Sequence, residues 1–167
     1  NDVAKLPGPQ VFDYLSAALG LDIQVRHADR IPASGGFILV SNHPTGIADG
    51  VAMYDLLKDR RPDMTFFANR DAVRVNPRLA EIIIPVEWRE EHKSKLKARE
   101  TLKLTTRAVE EGRATVLFPS GRIAYWDDGK LNERPWKTSA ISLARKYNLP
   151  ILPVNIKARN SGLFYWF

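Results

Sequence analysis

Phe37-Ile38-Leu39-Val40-Ser41-Asn42-His43-Pro44-Thr45-Gly46-Ile47-Ala48-Asp49-Gly50 is the stretch from which the fold is read. Its first four residues are bulky, apolar and uncharged, the signature of a short strand buried on both faces. Val51, Ala52, Met53, Tyr54, Leu56 and Leu57 follow as a mostly apolar helical segment interrupted by Asp55. Between them lies a strand-to-helix turn punctuated by Pro44, Gly46 and Gly50. In α/β proteins such turns, at the carboxyl ends of strands, are where ligands bind. This one carries His43 and Asp49, the parts of a general base whose tautomer is fixed by a carboxylate. The same Asp49 also suits the start of a helix, where a carboxylate satisfies unpaired N–H groups. Spacing alone leaves both readings open.

Working outward, Val11, Phe12, Leu15, Ala18 and Leu19 recur at helical spacing until Gly20. Leu21, Ile23 and Val25 alternate with polar residues and predict a half-buried strand near a sheet edge. Downstream, Met64-Thr65-Phe66-Phe67-Ala68 and Ile82-Ile83-Ile84-Pro85-Val86 read as strands, Pro85 arguing for an edge or a strand end. Residues 92–112 predict a long helix with Ala98, Leu102, Thr105 and Val109 as its inner stripe and Gly112 at its end. Its outer face carries Lys93, Lys95, Lys97, Arg99, Lys103 and Arg107. Ala114-Thr115-Val116-Leu117-Phe118 is another buried strand, residues 119–133 a loop, and Pro135 the expected opening of a helix bearing Ala140, Ile141, Leu143 and Ala144. Ile151-Leu152-Pro153-Val154-Asn155-Ile156 is the last strand. Strands alternate with helices throughout, so the class is α/β: a single mainly parallel or mixed sheet flanked by helices, expected as one domain over residues 1–167.

The chain has no cysteine, which excludes disulfides, thiolate nucleophiles and cysteine metal sites. Three histidines without ligand spacing imply no metal. Lysine and arginine exceed the acids by 25 to 19, a formal charge of +6, which favours an anionic partner. No apolar run approaches the ~18 residues that would span a bilayer. The final Leu163-Phe164-Tyr165-Trp166-Phe167 is an unusual ending for a soluble domain, so continuation beyond it, or cover by a membrane or partner, is expected.

Four blocks in order resemble the glycerolipid acyltransferases, the glycerol-phosphate and lysophosphatidate acyltransferase family. They are Asn42-His43 with Asp49, Arg89 after Val86-Glu87-Trp88, Phe118-Pro119-Ser120-Gly121-Arg122, and Leu152-Pro153-Val154. Together they cover about residues 35–160. The five residues between His43 and Asp49, one more than the commoner spacing, are similar to a bacterial hemolysin-like branch that resembles ornithine-lipid acyltransferases. Ser120 stands where the family has glutamate, and Arg122 is out of register with the family's later arginine.

The resemblance implies transfer of a fatty acyl group from a thioester, on acyl carrier protein or coenzyme A, to a hydroxyl or amine of a lyso-lipid or related acceptor. His43 would be the base and Asp49 its orienter. Asn42, Arg89, Pro119, Ser120, Gly121 and Arg122 would contact substrate, with N–H groups around Gly121 open to an oxyanion or phosphate. No cofactor beyond the thioester co-substrate is implied, and the expected setting is an anionic membrane surface on the cytoplasmic side of the inner membrane. Docking there would use the apolar tail, Tyr125, Trp126 and the basic helix. Two rival readings are a serine hydrolase using Ser120, although Pro119-Ser120-Gly121 lacks a nucleophile elbow, and a basic nucleic-acid-binding module. The latter would use Arg60-Arg61, the basic helix and stacking by Tyr125 and Trp126, with no recognised motif beside them; no nucleic-acid partner is therefore expected.

Overall fold

The computed structural model describes residues 2–87 and 89–165. Trp88 of the arginine block and Trp166 and Phe167 of the aromatic tail lie outside the described residues, as does the side chain of Tyr165.

Apolar runs too short for a helix become strands here: β1 (Phe37–Ser41), β2 (Thr65–Asn69), β3 (Ile83–Val86) and β4 (Ala114–Leu117). The exposed pair β5 (Tyr125–Asp127) and β6 (Lys130–Asn132) follows, then β7 (Ile151–Val154). Five of these form one sheet in the order β3-β2-β4-β1-β7, every neighbour parallel. Pro85 does lie on an edge strand, where its missing N–H is least costly.

Side chains of β1 alternate between two cores. Phe37 and Leu39 join Phe66, Ile83 and Val116 beneath α1 (Gly8–Leu19) and α2 (Ile47–Leu57). Ile38 and Val40 join Leu117 on the opposite face, beneath Ala140 and Ala144. The short α3 (Arg70–Val75) follows β2 directly and breaks at Asn76-Pro77. The second face is covered by α4 (Lys95–Glu110), packed on β3, and α5 (Ser139–Tyr147), packed on β1.

The structure corrects four expectations. Leu21, Ile23 and Val25 form no strand, and neither edge strand, β3 or β7, pairs with that segment. The α5 helix begins at Ser139, four residues after Pro135; Lys137 N–H is instead bonded to the Pro119 carbonyl at 3.0 Å. The loop over residues 119–133 contains the β5–β6 hairpin, turned at Asp128-Gly129 with both φ angles positive. Finally, the buried residues of α4 are Thr105 and Ala108, while Ala98 and Leu102 are exposed. No helix among the described residues is long and apolar enough to cross a membrane.

Candidate active site

The parallel register sets Val40 beside Leu117, so the chain leaving β1 meets the chain leaving β4 at the carboxyl edge of the sheet. His43 thereby reaches Phe118, and their rings stack 4.2 Å apart at 22°. His43 Nδ1 is 2.9 Å from Asp49 Oδ2. Asp49 is 1% exposed, and its Oδ2 also accepts the N–H groups of Thr45 at 2.8 Å and Gly46 at 2.9 Å. Its other oxygen accepts the Thr45 hydroxyl. Asp49 therefore makes both contacts: the carboxylate caps α2 through Gly46 N–H and bonds the imidazole. Nε2 of His43 has no hydrogen-bond partner among the described residues.

Gly46 makes this turn geometrically feasible. Its φ of +78° and ψ of −121° suit only glycine, and a Cβ there would lie 2.6 Å from Ile123 Cδ1. Main-chain groups of His43 are fixed as well. Its N–H donates to the Glu133 carboxylate, and its carbonyl accepts Ala124 N–H at 2.8 Å. Glu133 Oε2 accepts the Trp136 indole N–H at 2.7 Å. The β5–β6 hairpin is thus strapped onto the histidine turn, an arrangement the sequence reading missed; Asp128-Gly129, a two-residue hairpin signal, was the available clue.

The other expected site residues divide. Asn42 spends its amide on Ile156, donating to the carbonyl at 2.8 Å and accepting the N–H at 2.6 Å, which ties the turn to the chain leaving β7. Arg89 sits at the far edge after β3, bonded to Glu87 at 3.2 Å and to Asp71 at 3.3 Å. Glu87, buried between these groups, is lowered to about 2 chiefly by the Lys97 ammonium and then by Arg89, against the opposing effect of burial. Pro119 is buried beside the histidine ring's neighbour, and its carbonyl anchors Lys137. The Ser120 hydroxyl is buried and donates to the Arg122 carbonyl at 2.9 Å, not to His43. Around Gly121, its own N–H closes a turn onto the Phe118 carbonyl at 3.0 Å. The N–H groups of Ser120 and Arg122 have no acceptor among the described residues.

Two features escaped the sequence reading. Arg70, at the carboxyl end of β2, pairs with Glu100 through Nη1 at 2.8 Å, yet its Nε and Nη2 are buried without a partner. An unmet buried donor costs about 1–3 kcal/mol, so an anion would be stabilised there. The second is an apolar cleft of about 780 Å³ between α4 and α5, which begins at Phe118 and Pro119. Phe67, Leu117, Ala98, Leu102 and Leu143 line it, and Lys93, Lys95, Lys97, Lys137 and Lys146 stand on it. Ala98 and Leu102, expected as core, are its wall. Arg61, which the rival nucleic-acid reading would place on a basic surface, is 2% exposed and clamps Asp63 and the Gly112 carbonyl.

The structure is thus an α/β sheet with a histidine–carboxylate pair at its carboxyl edge, the imidazole stacked on one wall residue of an apolar cleft. The acyltransferase family model matches residues 22–157, and the chain belongs to that family. It is similar to the lyso-glycine lipid O-acyltransferase of Phocaeicola vulgatus, 26% identical over 157 residues, which are 92% of this chain and 54% of that protein. It is similar also to the lyso-glycine lipid O-acyltransferase of Bacteroides thetaiotaomicron, 25% identical over 156 residues, 92% of this chain and 56% of that protein. The chain thus spans about half the length of the curated relatives it matches.

Proposed function

We propose that the protein transfers a fatty acyl group from a thioester to the hydroxyl of a lyso-lipid, with His43 as general base. The observation that carries this reading is the Asp49–His43 hydrogen bond at the carboxyl edge of the sheet, its imidazole stacked on Phe118, a residue of the cleft wall. Asp49 keeps the proton on Nδ1, leaving Nε2 to take the acceptor's hydroxyl proton. The acceptor oxygen then attacks the thioester carbonyl. The tetrahedral oxyanion collapses, the carbon–sulfur bond breaks, and the departing thiolate recovers the proton from the imidazolium. The products are an ester and a free thiol. Donors for the oxyanion are sought at the N–H groups of Ser120 and Arg122. The names of the relatives favour a hydroxyl over an amine acceptor.

The cleft supports a long acyl chain, and its lysines support an anionic carrier such as acyl carrier protein or coenzyme A, each of which bears phosphate. Arg70, with two unpaired buried nitrogens, is a better reader of an anionic acceptor headgroup than Arg89, which is already held by two carboxylates. We assign the setting to an anionic membrane surface on the cytoplasmic side. The test is acyl-length selectivity. Ser142 lies on the cleft, so Ser142→Trp should depress turnover of long-chain thioesters more than short ones, by roughly tenfold if one or two methylenes lose their place. An unchanged length profile in a folded variant would remove the cleft from the donor site.

A further inference from the structure

The hairpin lobe is bonded to both polar groups of the His43 main chain. Its base is closed where Lys137 N–H donates to the Pro119 carbonyl at 3.0 Å. From this lobe Ala124 N–H donates to the His43 carbonyl at 2.8 Å, and the Glu133 carboxylate accepts the His43 N–H. The preceding residue is pinned as well, since Asn42 binds the main chain of Ile156 with both ends of its amide. The peptide unit between Asn42 and His43 thus has an anchor on each side, and it carries the ring that bonds Asp49.

A carbonyl or an amide would satisfy one N–H of a turn. Glu133 is instead a half-buried carboxylate that forms no ion pair among the described residues, and taking an unpaired charge out of water is costly. Its two oxygens explain the choice, because each serves a different donor. Oε1 accepts the His43 N–H, and Oε2 accepts the Trp136 indole N–H at 2.7 Å. An amide has a single accepting oxygen and can hold only one of them. Bonds to an ionised acceptor are also roughly twice as strong as neutral ones. Trp136, 47% exposed, therefore fixes from outside the carboxylate that fixes the histidine turn from within.

We propose that Glu133 is a positioning residue for His43, with Trp136 setting its orientation. The proposal rests on the reading of His43 as the base of an acyl transfer. Glu133 acts through the main chain of His43 and not on the substrate. Without its bond the Asn42–His43 peptide turns about the Asn42 anchor, and the imidazole leaves the line set by Asp49 and Phe118. A misplacement of about 1 Å at a reacting group costs on the order of 10²-fold in rate.

The experiment is a double-mutant cycle of Glu133→Gln and Trp136→Phe with two readouts. Thiol release from an acyl thioester, per folded molecule, gives kcat and KM. The second readout needs no turnover: in protein carrying isotope-labelled histidine, the His43 Nδ1–H resonance reports the bond to Asp49, and its loss in His43→Ala identifies it. Glu133→Gln meets two donors with one accepting oxygen. Its kcat should fall by roughly 10–10²-fold with KM for the thioester nearly unchanged, and the resonance should broaden or shift. Trp136→Phe alone leaves the carboxylate to His43 and should cost less. With both replaced, the amide oxygen has only the His43 N–H to serve. That variant should recover roughly fivefold or more over Glu133→Gln, and its resonance should return toward the parent position. A merely structural role has the opposite signature, two losses that add in rate and in denaturant midpoint alike. A double variant slower than Glu133→Gln overturns the proposal, as does parent-like kcat and an unmoved resonance in folded Glu133→Gln. The expected resonance changes in a protein that releases no thiol from any thioester defeat the acyltransferase reading alone.

Discussion

Replacing Asp49 by asparagine separates a helix cap from a catalytic orienter. In the native turn the carboxylate accepts four donors: His43 Nδ1, the N–H groups of Thr45 and Gly46, and the Thr45 hydroxyl. An amide of the same shape can set its oxygen where Oδ2 stands and retain three of these bonds. Each falls from a charged to a neutral bond, a loss of about 1 kcal/mol, so Asp49→Asn should cost roughly 3 kcal/mol of stability. The catalytic cost is of another kind. Forming the imidazolium opposite a carboxylate with charge centres ~4 Å apart is favoured by about 4 kcal/mol at an effective dielectric of ~20. Losing that attraction slows turnover by roughly 10³-fold. His43→Ala, by contrast, leaves Asp49 its other three donors and removes a partly exposed ring. It should cost about 1 kcal/mol of stability or less and depress turnover by about 10²–10⁴-fold.

The assay is thiol release from an acyl thioester, read with a thiol-reactive dye. Since the chain has no cysteine, its signal is the carrier's alone. Denaturant midpoints give stability, and rates are taken per folded molecule. If the pair works as a unit, His43→Ala with Asp49→Asn should be no slower than His43→Ala alone. Turnover within a few-fold of normal in a folded Asp49→Asn protein would refute the orienting role and leave Asp49 a cap. Near-normal turnover of folded His43→Ala would refute the base itself.

Gly46→Ala should destabilise the turn by about 1–3 kcal/mol, from backbone strain and the collision with Ile123, and should lower turnover beyond its effect on folding; thermal midpoint and rate together check it. Glu87 titrates near 2 in the folded protein against an ordinary 4.5, so its stabilising effect is intact above that ordinary value and drains as pH falls toward 2. Glu87→Gln should flatten this acid limb in a pH series followed by circular dichroism. Ser120→Ala should retain most thiol release, because its hydroxyl is committed to the Arg122 carbonyl, and mass spectrometry should find no acyl adduct on the protein.

Legibility in the sequence followed burial. The strands β1, β2, β3 and β4 were readable because a parallel sheet covered on both faces demands apolar residues without alternation, while the edge strand β7 was readable from its apolar run although Ile151 and Pro153 are exposed. Alternation misled at Leu21, Ile23 and Val25, because a period of two says nothing about whether the segment pairs with a strand. The hairpin was invisible to any burial pattern, since every residue of β5 is exposed. Ala98 and Leu102 show a further limit: an apolar stripe on a helix looks the same whether it meets a core or lines a cleft. His43 and Asp49 were legible as a local pair six positions apart. Glu133, ninety positions from His43, was not, because its partner is chosen by the packing of the hairpin.

That distant contact bears on the role proposed for the histidine. His43 is held by its N–H through Glu133, by its carbonyl through Ala124, by its ring face through Phe118, and by Nδ1 through Asp49. Asp49 in turn is fixed by three donors besides the imidazole, so it has little freedom to turn when the ring gains a proton. In the proposed role of His43 as base, the stabilisation would thus be in place before charge develops, with no reorganisation spent at the moment of transfer. The additional residue in the histidine-to-aspartate spacing does not loosen this frame: Gly46 takes up the turn in a conformation reserved for glycine. Nε2 is left as the imidazole atom without a hydrogen-bond partner among the described residues.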